Sequence, residues 1–308
     1  MPGRDAPPPP LARAGIDRAA EERDTPDLVL TLAADTATRV IPVHGDRALV
    51  AASGGSLVRL APSAVPADSL QAFLGRSADG VPVLLAVLDA ESDVQPNAVA
   101  DASWASLRDA GGRLDSVDAG LFVEAVALGR WIVDAPFCSA CGARTELRAA
   151  GWARHCPSCG REHFPRTDPA VIVAIHDEGD ARLLLGKNAL WAERNMYSTF
   201  AGFVEAGESL EAAIVRELRE EAGVEVIASH YRGSQGWPYP RSLMLGFHAV
   251  VRGDVAPRPD GVEIVDTRWF TRSELRTALA DPGAAGFALP GTASIARRLI
   301  EDWVAMPA

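Results

Sequence analysis

Three glutamates, Glu217, Glu220 and Glu221, crowd the stretch RELREEAG at 216–223. Like charges one helical turn apart repel, so this stretch is either an ordinary solvated helix face or lies beneath something positive. On a helix turning ~100° per residue, the three carboxylates fall within about one third of the circumference. Ile214, Val215, Leu218 and Ala222 lie to one side of that arc, as a core-facing stripe should. Ser209 is placed to cap the helix start, and Gly223 stands where a left-handed residue would stop it. Carboxylates converging on the edge of a partly buried helix raise one another's pKa. Divalent cations remove that repulsion, and hard oxygen ligands suit Mg2+ or Mn2+. Upstream, Glu208 is the natural partner for Arg216. That pair would tie the loop from Gly202 to the helix and leave the other carboxylates free for metal.

A second constraint comes from the cysteines, all four of which lie between 138 and 159. Cys138-x2-Cys141 and Cys156-x2-Cys159, fourteen residues apart, fit a tetrahedral zinc site built from two tight turns. Gly142 and Gly160 directly follow the second cysteine of each pair, where a compact turn favours a residue that tolerates positive φ. Four protein ligands leave no open position, so one structural Zn2+ per chain is expected. A redox C-x-x-C pair and unliganded buried thiols are the competing readings. A third is a ribbon that binds nucleic acid: Arg144, Arg148, Arg154, Arg161 and Arg166 make it basic, with Trp152 and Phe164 as stacking candidates. His155, beside Cys156, reads as a surface residue.

The 308 residues carry 41 acidic and 30 basic side chains, a formal charge of -11. Such a molecule repels polyanions as a whole, and any anionic substrate needs a local cation. No apolar run approaches the ~18 residues that span a bilayer, and the start lacks a secretory apolar core. These features predict a cytoplasmic protein that does not engage membranes. Residues 1–26, proline-rich and then charged, read as a flexible tail. From 27 to 134 a mixed α/β domain is expected, with strands at 28–30, 39–43, 48–52 and 81–88 and helical stretches at 103–111 and 117–133. In the second helix Leu121, Ala125, Leu128 and Ile132 mark a buried face. No chemical motif appears there. The ribbon occupies 135–167. From 168 to 308 strands and helices alternate irregularly, and no Gly-x-Gly-x-x-Gly turn follows a strand, so a doubly wound dinucleotide fold lacks support.

In full, residues 202–224 match G-x5-E-x7-R-E-U-x-E-E-x-G-U, with U apolar, and so resemble the 23-residue signature of the Nudix hydrolases. The resemblance implies an α+β chain whose last domain is an α/β/α sandwich, and hydrolysis of a nucleoside diphosphate linked to another group. A second stretch, SQGWPYPRSLMLGF at 234–247, pre-orders a loop with two prolines and offers Trp237 and Tyr239 as flat apolar surface. It is similar to the S-Q-P-W-P-F-P-x-S motif of the NADH pyrophosphatase family, some of whose members also remove NAD caps from RNA. The order of an N-terminal α/β domain, a four-cysteine ribbon, a Nudix domain and a final helix (Ala296 to Asp302) is also that family's. Departures fall at Gly236, where the family has proline, and Tyr239, where it has phenylalanine. The lost proline should free the loop by about 0.4 to 1 kcal/mol.

Carried over by position, the resemblance makes Glu217, Glu220 and Glu221 metal ligands and adds Glu263 as a further catalytic or metal carboxylate. Ala201 joins the metal positions, and Glu208 and Arg216 the catalytic set. Gln235, Trp237, Ser242 and Ala296 become substrate contacts, with Phe203 and Phe164 as walls against a planar ring. Expected substrates are NADH or NAD+, yielding AMP and nicotinamide mononucleotide, and NAD-capped RNA. Glu221 is the first choice to orient or deprotonate the attacking water, with Glu263 the alternative. The family resemblance further implies a homodimer. Other nucleoside diphosphate derivatives, such as ADP-ribose, and a nucleotide-sensing module that does not cleave remain the alternatives.

Overall fold

The computed structural model describes residues 8–13, 15–89, 101–252 and 256–306. The chain divides into two bodies. One comprises the residues up to 12, then 168–236 and those from 242 onward; the other comprises 13–167 with 237–241.

In the body formed mainly by the first half of the chain, the elements are α1 (Leu28–Ala34), β1 (Arg39–His44), β2 (Arg47–Ala51), β3 (Leu70–Arg76), β4 (Pro82–Val87), β5 (Ala102–Ser106), α2 (Leu107–Ala110) and α3 (Ser116–Asp134). The strands form one sheet in the order β3-β4-β1-β2-β5, with β1 parallel to β4 and the other pairs antiparallel. Asp115 caps α3, and Leu121, Ala125, Leu128 and Ile132 are all buried as their spacing predicts. Two local expectations are corrected. Leu28 to Leu30 open a helix instead of forming a strand: Leu28 and Leu32, four residues apart, bury one helical face. Ser103 to Ser106 form strand β5 against β2, with Trp104 opposite Leu49, and the helix shrinks to four residues capped by Ser106.

The predicted flexible tail is also corrected where it is described. Asp17 bridges Arg76, whose guanidinium grips Glu22 at 2.6 and 2.7 Å. Leu11 is buried, and its N–H donates to the Gln235 side chain at 3.1 Å. Composition hides this order because these residues find their partners far along the chain. Residues 1–7 and 14 lie outside the described residues.

Three short strands, β6 (Glu146–Arg148), β7 (Ala153–His155) and β8 (Glu162–His163), form the antiparallel sheet of the ribbon. The remaining elements are β9 (Asp168–Asp177), β10 (Arg182–Asn188), β11 (Phe200–Phe203), α4 (Leu210–Ala222), β12 (Val226–Trp237), β13 (Ser242–Val251), β14 (Ile264–Thr271), α5 (Arg272–Ala280), α6 (Pro282–Ala285) and α7 (Ile295–Ala305). Their sheet runs β12-β13-β9-β10-β14, with β11 also paired to β9. β13 lies parallel to β9 over ten residues. Alternation along β9 sends Val171, Val173 and Ile175 into the layer beneath α4, and Ile172 and Ala174 into the layer beneath α5 and α7. Helices therefore cover both faces, giving the expected α/β/α sandwich. On α4 the buried stripe is Ala213, Ile214, Leu218 and Ala222; Val215, placed in it by the sequence, is 37% exposed.

Candidate active site and metal centres

Helix α4 starts where Ser209 Oγ accepts the Ala212 N–H, and ends where Gly223 turns left-handed at φ 64°. Between these caps Arg216 is the hub. Its Nε and Nη2 donate to the two oxygens of Glu208 at 2.9 and 2.8 Å, and Nη2 also reaches the Phe203 carbonyl at 2.9 Å. A bidentate guanidinium-carboxylate pair is strong and directional, and this one fixes the loop after β11 against the helix. Hydrogen bonding to Arg216, and to the Glu205 N–H, holds the Glu208 carboxyl down at about 2. The pairing inferred from the spacing is thus in place.

Arg216 Nη1 continues to Glu217 at 2.7 Å and, more loosely, to Glu220 at 3.4 Å. Glu217 lies flat against β11, because a side chain at Gly202 would bring its Cβ within 1.9 Å of the Glu217 carboxyl carbon. Ala201 is half-buried beside it in the strand, opposite Ile172. Glu220 points outward, with 60% of its side chain exposed. Glu221 differs: it joins the buried stripe at 5% exposure, and its Oε2 is buried with no hydrogen-bond partner. Burial first, then the charges of Glu263 and Glu217, push this carboxyl up to about 8. An orphaned buried carboxylate oxygen beside further carboxylates is chemistry that a divalent cation completes, so the residues fit Mg2+ or Mn2+.

Glu263 is exposed on the loop before β14, and Asn188 donates to its Oε1 at 3.2 Å. The Asp260 carboxylate accepts the N–H groups of Val262, Glu263 and Ile264. Sequence reasoning missed Asn188 and Asp260; the Asp260-Gly261 pair, a turn signal, was the available hint.

The expected substrate contacts fare unevenly. Phe203 and Phe164 are 55% and 51% exposed, on different bodies. Gln235 is buried and both ends of its amide are engaged, by the Leu11 N–H and the Ala293 carbonyl. Ser242 opens β13 opposite Asp168, and Ala296 is buried in the first turn of α7. Trp237 leans on Tyr239 with ring centroids 4.9 Å apart, and the Arg108 guanidinium lies over both rings. The Tyr239 hydroxyl donates to Asp46 at 3.0 Å.

In the ribbon the four Sγ atoms lie within 4.8 Å of one another. Among the described residues this is the group of potential ligands already so gathered; no three of the glutamates are that close. The two cysteine turns repeat one another. Gly142 and Gly160, both at φ 75°, donate to the carbonyls of Cys138 and Cys156 at 2.9 Å. Four converging thiols fit one zinc ion, as the zinc-site reading expected, in preference to a redox C-x-x-C pair or unliganded buried thiols. The sequence missed His163, whose Nε2 lies 3.2 Å from Cys138 Sγ. The Ala140 N–H, the Cys141 N–H and His163 together draw the Cys138 thiol down to about 6. Two candidates for nucleic-acid contact are committed elsewhere. Arg154 is buried on the carbonyls of Thr145 and Ile132, and Trp152 donates to the Phe73 carbonyl beneath Arg23. Arg144, Arg161 and Arg166 are exposed.

Residues 166–288 match the NUDIX domain, 134–164 the NADH pyrophosphatase zinc ribbon domain, and 37–131 the NADH pyrophosphatase-like rudimentary NUDIX domain. A sandwich carrying this helix and its acidic edge defines the chain as a Nudix hydrolase. The protein named NAD-capped RNA hydrolase NudC from Mycobacterium tuberculosis is 40% identical over 306 residues, spanning 96% of this chain and 95% of that one. Its namesake from Stutzerimonas stutzeri is 42% identical over 228 residues, 74% of this chain and 75% of its own. The chain therefore belongs to the NADH pyrophosphatase family of zinc-ribbon Nudix hydrolases.

Proposed function

We propose that this enzyme splits the diphosphate of NADH or NAD+ into AMP and nicotinamide mononucleotide, and removes the same unit from NAD-capped RNA. The observation that carries this reading is Glu221, a buried carboxylate with an unpartnered oxygen at the end of an acidic edge. Mg2+ or Mn2+ bound there would neutralise the diphosphate and lower the pKa of water. Glu217, Glu220, Glu221 and Glu263 would hold the cation, together with Ala201 on β11. Glu221 would take the proton of the attacking water as a new P–O bond forms from the water oxygen to one phosphorus and that phosphorus's bond to the bridging oxygen breaks, the bridging oxygen leaving on the other phosphate. Glu208 and Arg216 keep the loop from Gly202 in register. Phe203 offers a ring face, and Ser242 and Ala296, in the same body, shape the substrate side. Because both ends of the Gln235 amide are occupied, its contribution is to order the neighbouring backbone.

The exposed arginines of the ribbon favour an RNA body, against the acidity of the whole chain. A four-thiolate zinc site suits a reducing cytoplasm. Ile227 and Tyr231, 45% and 56% exposed on edge strand β12, are compatible with a homodimer, which light scattering would measure. The direct test offers NADH, ADP-ribose and NAD-capped RNA in one Mn2+-supplemented assay. AMP with reduced mononucleotide from NADH is expected; cleavage of ADP-ribose alone would reject the reading.

A further inference from the structure

Asn188 closes β10 at a slip in its ladder with β14: Lys187 stands opposite Asp266, but Asn188 opposite Ile264, so Val265 is passed over. Bulges of this kind re-aim the side chains beside them. Here Asn188 uses both ends of its amide. Oδ1 accepts the Leu190 N–H at 2.9 Å, capping the short helix that follows, and Nδ2 donates to Glu263 Oε1 at 3.2 Å. The next N–H, of Ala189, donates to the Glu263 carbonyl at 2.8 Å. From the other side, Asp260 gathers the N–H groups of Val262, Glu263 and Ile264 at 3.1, 3.1 and 2.8 Å. An exposed glutamate on a loop is thereby fixed in both backbone and side chain.

We propose that Asn188, with Asp260, is a positioning residue that holds the Glu263 carboxylate in place as an oxygen donor to the catalytic divalent cation. This rests on the reading of Glu263 as a metal carboxylate. Ile264, the residue after Glu263, is buried in the same layer as Leu218 and Ala222 of α4, which brings the Glu263 loop to the helix that carries Glu221. Outer partners of metal ligands commonly set affinity by fixing ligand orientation.

Asn188→Ser separates the two jobs of this side chain, because serine caps a helix as asparagine does but is too short to reach Glu263. Calorimetric titration of the full-length, zinc-loaded protein with Mn2+ should show binding weakened about tenfold. The KM for NADH at saturating Mn2+ should stay within about twofold of the parent. Glu263→Gln should weaken Mn2+ at least as much, and the double variant no more than Glu263→Gln alone. Asp260→Ala provides the same comparison from the other anchor. Parental Mn2+ affinity in Asn188→Ser, with Glu263→Gln impaired, would overturn the proposal, as would additive losses in the double variant. Parental affinity in Glu263→Gln would remove the metal role of Glu263 itself, and the proposal with it.

Discussion

Gly202 has room for hydrogen alone. Alanine there must displace the Glu217 carboxylate, so Gly202→Ala is expected to lower kcat/KM by about tenfold or more with circular dichroism unchanged. Glu221→Gln, which keeps the shape of the side chain and removes its charge, should lower kcat by roughly 10²-fold or more. Unchanged turnover would take Glu221 out of its assigned role. The same residue predicts a pH dependence. Its carboxyl is raised from an ordinary 4.5 to about 8, so the folded state binds the proton more tightly than the unfolded chain does. That contribution to stability is complete below about 4.5 and is lost as pH rises through about 8. Glu124, raised to about 7 by burial against the opposing pull of Arg18 and Arg23, adds the same sign in the same window. Metal-free protein should therefore lose Tm across that range. Added Mg2+ should restore it at the alkaline end in Glu124→Gln but not in Glu221→Gln.

At the level of elements, the ribbon depends on its sulfurs more than on any core. Cys156→Ser should release zinc, read with a chromogenic chelator, and erase the β6-β7-β8 sheet. His163→Ala, which removes a hydrogen bond from one thiolate, should speed alkylation of Cys138 while zinc is still bound. Helix α4 and both cysteine turns were legible because each is a local pattern: caps, spacing and charge lie within about two dozen residues. α1 was misread because three apolar residues carry no period, and only Leu32, one turn on, makes the run helical. β3 went unforeseen since Ala72, Phe73 and Leu74 are all buried and show no alternation. Asn188 and His163 were invisible for another reason: their partners are 75 and 25 residues away, and spacing does not encode such pairs.

Across the whole molecule, a charge of -11 must meet a polyanionic substrate through a few exposed arginines. Raising salt should therefore depress kcat/KM on NAD-capped RNA far more steeply than on NADH, since only the former releases counterions along a chain of phosphates. Equal salt slopes for the two would show that the RNA body is not bound. The division into bodies has its own consequence for biogenesis. Leu11 is made 224 residues before its hydrogen-bond acceptor, Gln235. At synthesis speeds of about 5–20 residues per second, that is a wait of roughly 10 to 45 s. The polypeptide between them can mature in that interval, while Leu11 waits for the strand that will receive its N–H.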